Sequence, residues 1–203
     1  MRPFFIISSL FISATLASCS SLPGVSNPPY YDYQKRAIIA KGYPIERVDM
    51  PPGFHYFSAS QDYTKKDPSM ASNSGNITEK SYRFVWKSNQ DGSRLMDTEF
   101  SLLELQTRYK LPDTSGYQFI GGKKVRHVFM STSAARSDPK GIQVQPFADG
   151  CGIGVELISL SPDSRYLFAG TYLESITCQA RAAMTEADWQ VLLERAYRIY
   201  GMK

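Results

Sequence analysis

The side chains best suited to nucleophilic or metal chemistry in this chain are three thiols, Cys19, Cys151 and Cys178, and two imidazoles, His55 and His127. A cysteine attacks as its thiolate and needs a base or a cationic neighbour to form one at neutral pH. Cys151 is the one placed for that role. It sits in Asp149-Gly150-Cys151-Gly152-Ile153-Gly154, a pliable run that lets a substrate come close, with His127 or His55 as the base. The imidazoles lie 72 positions apart, each without a second ligand-type neighbour. With no paired-His motif, zinc-type cysteine spacing or calcium loop, no metal or cofactor is expected. No serine occupies a Gly-x-Ser-x-Gly elbow or a Ser-x-x-Lys motif. Gly150, Gly152 and Gly154 lead into Val155-Glu156-Leu157-Ile158, which reads as strand, whereas a phosphate cradle opens into a helix. Asp97, Glu99 and Glu104 form a hydrolytic pair only if folding brings two of them together.

The N-terminus carries a more specific pattern. Met1-Arg2-Pro3 supplies one positive charge, and the mostly apolar run from Phe4 to Leu16 is too short to span a bilayer as a helix. It closes on Leu16-Ala17-Ser18-Cys19, and the Pro/Ser/Gly/Asn stretch from Ser20 to Pro29 follows at once. Leu, two small residues and Cys in this register resemble the lipobox of bacterial lipoproteins. The resemblance covers this segment alone. It implies removal of residues 1–18, a diacylglyceryl group on the Cys19 thiol and acylation, commonly by palmitate, of the new amine. Each buried CH₂ contributes about 0.8 kcal/mol, so two or three chains hold a protein firmly. Ser20, in place of the Asp that favours inner-membrane retention in enteric-type bacteria, implies an outer-membrane anchor with a periplasm-facing body. The alternatives are an ordinary secretory signal cut nearby and a buried helix of the fold.

Lipidation of Cys19 leaves Cys151 and Cys178 as an even pair in an exported protein. A disulfide between them is the expectation in an oxidising compartment, against the reading of Cys151 as a nucleophile. Removing residues 1–18 from 203 leaves 185, enough for one domain. With 42% hydrophobic and 13% aromatic residues the chain can bury a real core. Loss of Arg2 lowers the formal charge from +4 to +3, a mixed surface without the basic stripe of a nucleic-acid binder. The cluster Lys123, Lys124, Arg126 suits anionic lipid or glycan, or is simply a solvated edge.

Residues 19–33 read as the lipidated cysteine and a flexible linker with a reach of about 20 Å, and residues 34–203 as one globular domain. Asp32 followed by Tyr33 to Lys41 predicts a short helix stopped by Gly42. Strand patterns follow at Ile45–Met50 and Phe54–Ser60, with a polar loop from Asp62 to Glu79. Lys80–Ser88 and Arg94–Leu105 predict a hairpin, with Tyr82, Phe84 and Trp86 on its core face. Further strands are expected at Tyr117–Ile120, Lys123–Ser131, Ile142–Phe147, Gly152–Leu160 and Arg165–Leu173. Thr185 to Asp188 form a capping box for a helix to Tyr200, with Trp189, Leu192, Leu193, Ala196 and Tyr200 on one stripe. The expected fold is α+β: an antiparallel sheet of six to eight strands, a short N-terminal helix and a C-terminal helix packed on one face.

These features together imply a lipid-anchored, non-catalytic envelope protein that binds or scaffolds another envelope component, such as a secretion or assembly complex. The alternatives are an envelope hydrolase of glycan, peptide or lipid, and a carrier with a deep apolar cavity between sheet and helix. Oligomeric state is not readable from the sequence.

Overall fold

The computed structural model describes residues 27–66, 77–89, 93–104, 108–109, 116–133 and 151–202. The chain forms strands β1 (Tyr30–Asp32), β2 (Ala37–Ile39), β3 (Arg47–Asp49), β4 (Phe54–Lys66), β5 (Ile77–Ser88), β6 (Arg94–Leu103), β7 (Tyr117–Ile120), β8 (Lys123–Ser133), β9 (Cys151–Leu160) and β10 (Tyr166–Ser175). Helices α1 (Cys178–Ala182) and α2 (Glu186–Ile199) follow. Strands β4 to β10 make one antiparallel sheet in the order β4-β5-β6-β10-β9-β8-β7, and β1 to β3 make a second, smaller one. The fold is α+β, as the sequence implies. The lipobox, the signal segment and the strand expected at Ile142–Phe147 lie outside the described residues.

The N-terminal helix expected after Asp32 is not formed; residues 30–39 are the hairpin β1–β2 instead. The Asp32 carboxylate does cap, but it caps a turn: Oδ1 accepts from the backbone N–H groups of Gln34 and Lys35, both at 3.0 Å. Arg36 then adopts φ 48°, a left-handed conformation that ends any helix. Ile38 and Ile39, β-branched, continue as strand, and Ala37 and Ile38 are fully buried. The linker is correspondingly shorter, because Tyr30 already pairs with Ile39.

One face of the large sheet carries the core. Alternation places Tyr82, Phe84 and Trp86 of β5, Met96 and Phe100 of β6, Phe168 and Tyr172 of β10, and Val155 and Leu157 of β9 on it, all buried. Helix α2 covers its β9 side, with Leu192, Leu193, Ala196 and Tyr197 inward. Tyr200, just past the helix, reaches deepest. Its ring lies 5.6 Å from that of Phe168, and its hydroxyl donates to the Thr171 and Asp97 carbonyls at 2.9 and 3.2 Å. Gly170 makes the seat: a Cβ there would stand 2.8 Å from Tyr200 Cζ. Gly201 at φ 64° closes the helix, and the Met202 N–H donates back to the Tyr197 carbonyl at 2.8 Å, a Schellman closure.

The small sheet lies on the same face, beside α2. Tyr31 stacks on Tyr56 at 4.6 Å, and Tyr43 meets Phe100 and Tyr166 edge-on at 5.4 and 5.0 Å. Its direction follows from its contacts. The β1–β2 turn sits by the start of β4, where the Arg36 guanidinium donates to the Phe54 carbonyl. The β2–β3 loop sits by the start of β8, where Lys123 Nζ donates to the Pro44 carbonyl at 3.0 Å.

The large sheet therefore has two distinct ends. At one, where β9 starts and β10 finishes, Cys151 is bonded to Cys178 with a Cα–Cα distance of 5.2 Å, and α1 follows directly. At the other lie the β9–β10 turn, the β7–β8 hairpin, the β2–β3 loop and the C-terminus of α2.

Candidate functional site

The residues that sequence chemistry singled out are not brought together. Cys151 is held in the disulfide, so it has no thiol to offer. His127 on β8 pairs with Leu157, six residues along β9 from Cys151, about 20 Å away. It lies under α2, its Nδ1 3.4 Å from the Tyr197 hydroxyl and its ring against Phe129, and burial pushes its pKa down. His55 is on the edge strand β4, 3.0 Å from the Asn89 side-chain oxygen. Gly152 and Gly154 lie inside β9; a Cβ at Gly154 would stand 2.3 Å from Leu173 Cδ2, so this glycine lets Leu173 lie flat on the strand. Among the described residues no group of three or more His, Cys, Asp or Glu side chains could hold a metal ion.

The far face of the sheet concentrates polar groups, and they satisfy one another. Arg83 grips Asp97 through Nε at 2.7 Å to Oδ1 and through Nη2 to Oδ2. Alongside, the Ser81 and Ser101 hydroxyls lie 2.9 Å apart, donating in turn to Glu79 at 3.2 Å and to Glu99 at 3.0 Å. Tyr109 closes the row by donating to Glu79 Oε2 at 3.2 Å. Its phenol is pushed up by burial and by the neighbouring Glu79 and Glu99. Two serines stand between Glu99 and Glu79, and Asp97 pairs with Arg83. The network ties β5 to β6, and a satisfied buried network of this kind specifies register.

The unsatisfied surface lies at the hairpin end. A groove of about 910 Å³ runs between the β2–β3 loop, the β7–β8 hairpin, the β9–β10 turn and the C-terminus of α2. Gly121 and Gly122, at φ 56° and 75°, give the hairpin the left-handed pair that a two-residue turn requires. In register across it stand Phe119 with Lys124 and Tyr117 with Arg126. Lys124 Nζ sits 4.9 Å over the Tyr117 ring. Phe119 is 79% exposed, more than any other large hydrophobic residue described. On the opposite wall Arg47 pairs with Asp49 at 2.6 Å, while Glu46, which accepts the Gly42 N–H at 3.0 Å, keeps its negative charge; the hairpin brings positive charge to the groove. The cations were visible in the sequence. Phe119 was missed, although an aromatic residue two positions before a Gly-Gly turn in an otherwise polar hairpin was a readable signal.

A smaller cleft, about 320 Å³, opens at the disulfide end between α1 and α2, where Ile153, Ile176, Met184 and Leu192 back the exposed Val191. The space between sheet and α2, which a carrier would keep open for a ligand, is filled by Phe168, Tyr172 and Tyr200, each fully buried.

Compared with known proteins, the chain matches no protein-family model, no curated protein and no solved structure.

Proposed function

We propose that this protein is a lipid-tethered component of a bacterial envelope, anchored through Cys19 in the outer membrane, whose body works by binding another envelope component. The observation that carries the reading is the Cys151–Cys178 disulfide. A stable structural disulfide belongs to an oxidising compartment, and this one leaves Cys19 as the single cysteine outside the pair. Binding, in preference to covalent chemistry, is supported by the dispersal of the thiol and the two imidazoles described above. The cleft between α1 and α2 offers a partner an apolar floor with Val191 at its rim, the usual composition of a small recognition patch.

Photo-crosslinking in intact cells tests this reading. A photoreactive residue in place of Val191 is expected to capture one discrete envelope protein, while the same residue at Tyr63, on the open edge of β4, captures none or another. Recovery of the uncrosslinked chain alone from both positions would overturn the proposal.

A further inference from the structure

We infer that the β7–β8 hairpin is a second membrane contact, with Phe119 entering the interface and Lys124 and Arg126 lying on anionic headgroups; this rests on the tether reading above.

The direction of the chain supplies the first argument. Tyr30 pairs with Ile39, and Ile39 with Arg47, so Tyr30 lies two strand spacings, about 10 Å, from a residue that walls the groove beside Phe119. Because β1 runs from Tyr30 towards the β1–β2 turn at the start of β4, residues 27–29 enter from the hairpin end. Eight peptide steps separate Cys19 from Asn27, and whatever their conformation they span at most about 28 Å. The direction of β1 therefore points residues 27–29, and a bilayer that holds Cys19, towards the hairpin side of the small sheet.

Composition supplies the second. An aromatic ring 79% exposed on β7, two residues before the hairpin turn, is a poor surface for water and a good one for an interface that takes rings at headgroup depth. The cations beside it match the negative potential of a phosphatidylglycerol-containing leaflet. Lys124 and Phe119 share a face of the hairpin by register, so ring and charge present together.

The test uses the full-length protein purified from membranes, with acylation read by mass, reconstituted on vesicles that carry brominated acyl chains. Phe119→Trp is compared with Val191→Trp, another exposed position, on the outer side of α2. On vesicles of phosphatidylethanolamine and phosphatidylglycerol, the emission gained at position 119 is expected to be quenched severalfold more than that at 191. Lys124→Glu with Arg126→Glu, added to Phe119→Trp, should reduce the quenching to the level seen on phosphatidylcholine, each cation being worth about fivefold in partitioning. An acylated protein whose Phe119→Trp emission is no more quenched than Val191→Trp overturns the hairpin contact and leaves the tether standing. A protein that carries no acyl chain but is still quenched at position 119 overturns the tether and leaves the hairpin. Failure of both readings removes both.

Discussion

Where β9 begins, Cys151 is bonded to Cys178, α1 is capped by the Thr177 hydroxyl, and α2 starts on a capping box between Thr185 and Asp188. Where β9 ends, three connections and the C-terminus of α2 meet around an open groove, and Phe119 stands in solvent on the same face as Lys124 and Arg126. The first end is closed by covalent and hydrogen-bonded ties that use up its chemistry. The second keeps Phe119 exposed, with Lys123 donating to the Pro44 carbonyl and Lys124 lying over the Tyr117 ring. The covalent staple therefore lies at the disulfide end, beside the small cleft at Val191, and the larger open groove lies at the other.

Substitutions that separate these roles should differ in size. The largest loss is expected for Tyr200→Ala, which empties a fully buried ring site and leaves the Gly170 seat unfilled; a drop of about 4 kcal/mol in unfolding free energy should be read by urea denaturation. Next, opening Cys151–Cys178, with a sequence separation of 27, should cost about 3.5 kcal/mol by the chain-entropy model, seen as a lower midpoint in the Cys151→Ala, Cys178→Ala double variant. A loss below about 1 kcal/mol would mean that α1 and the strand ends are held without the staple.

The pH response of His127 is smaller. Burial lowers its folded pKa, so the native state binds fewer protons than the unfolded state just below the usual imidazole value of about 6.5. Stability should then rise with pH through that window and fall as pH drops below it. His127→Gln should flatten this slope in thermal melts taken at stepped pH, and an unchanged slope would place its origin elsewhere. The smallest effect on folding is expected for Phe119→Ala, less than about 0.5 kcal/mol, because the ring is exposed. A loss near that of Tyr200→Ala would show that Phe119 belongs to the core and erase the contrast between the ends.

The sequence disclosed the fold wherever burial was one-sided. Tyr82, Phe84 and Trp86 alternate because one face of β5 meets the core, and the stripe on α2 is legible for the same reason at helical period. It misled at Asp32, where one carboxylate pattern serves a helix start or a turn, and burial of Ala37 and Ile38 against Val48 decided for strand. The second half of β4 read as loop because Gln61, Asp62 and Tyr63 are exposed on an edge and the segment carries no apolar alternation. Helix α1, five residues, is too short to show a period. The far-face network was hidden because Ser81, Arg83, Glu99 and Ser101 look like solvent-facing strand residues until the register pairs them. The groove was least legible, since its walls come from segments spread between Tyr43 and Gly201.

The proposed tether turns on the Cys19 thiol. Metabolic labelling of cells with an alkyne-bearing palmitate analogue, followed by purification of the protein, measures it directly. The wild-type chain is expected to carry the label at a site lost in Cys19→Ser and retained in the Cys151→Ala, Cys178→Ala variant. Labelling left unchanged by Cys19→Ser, or absent from the wild type, would contradict the lipid tether.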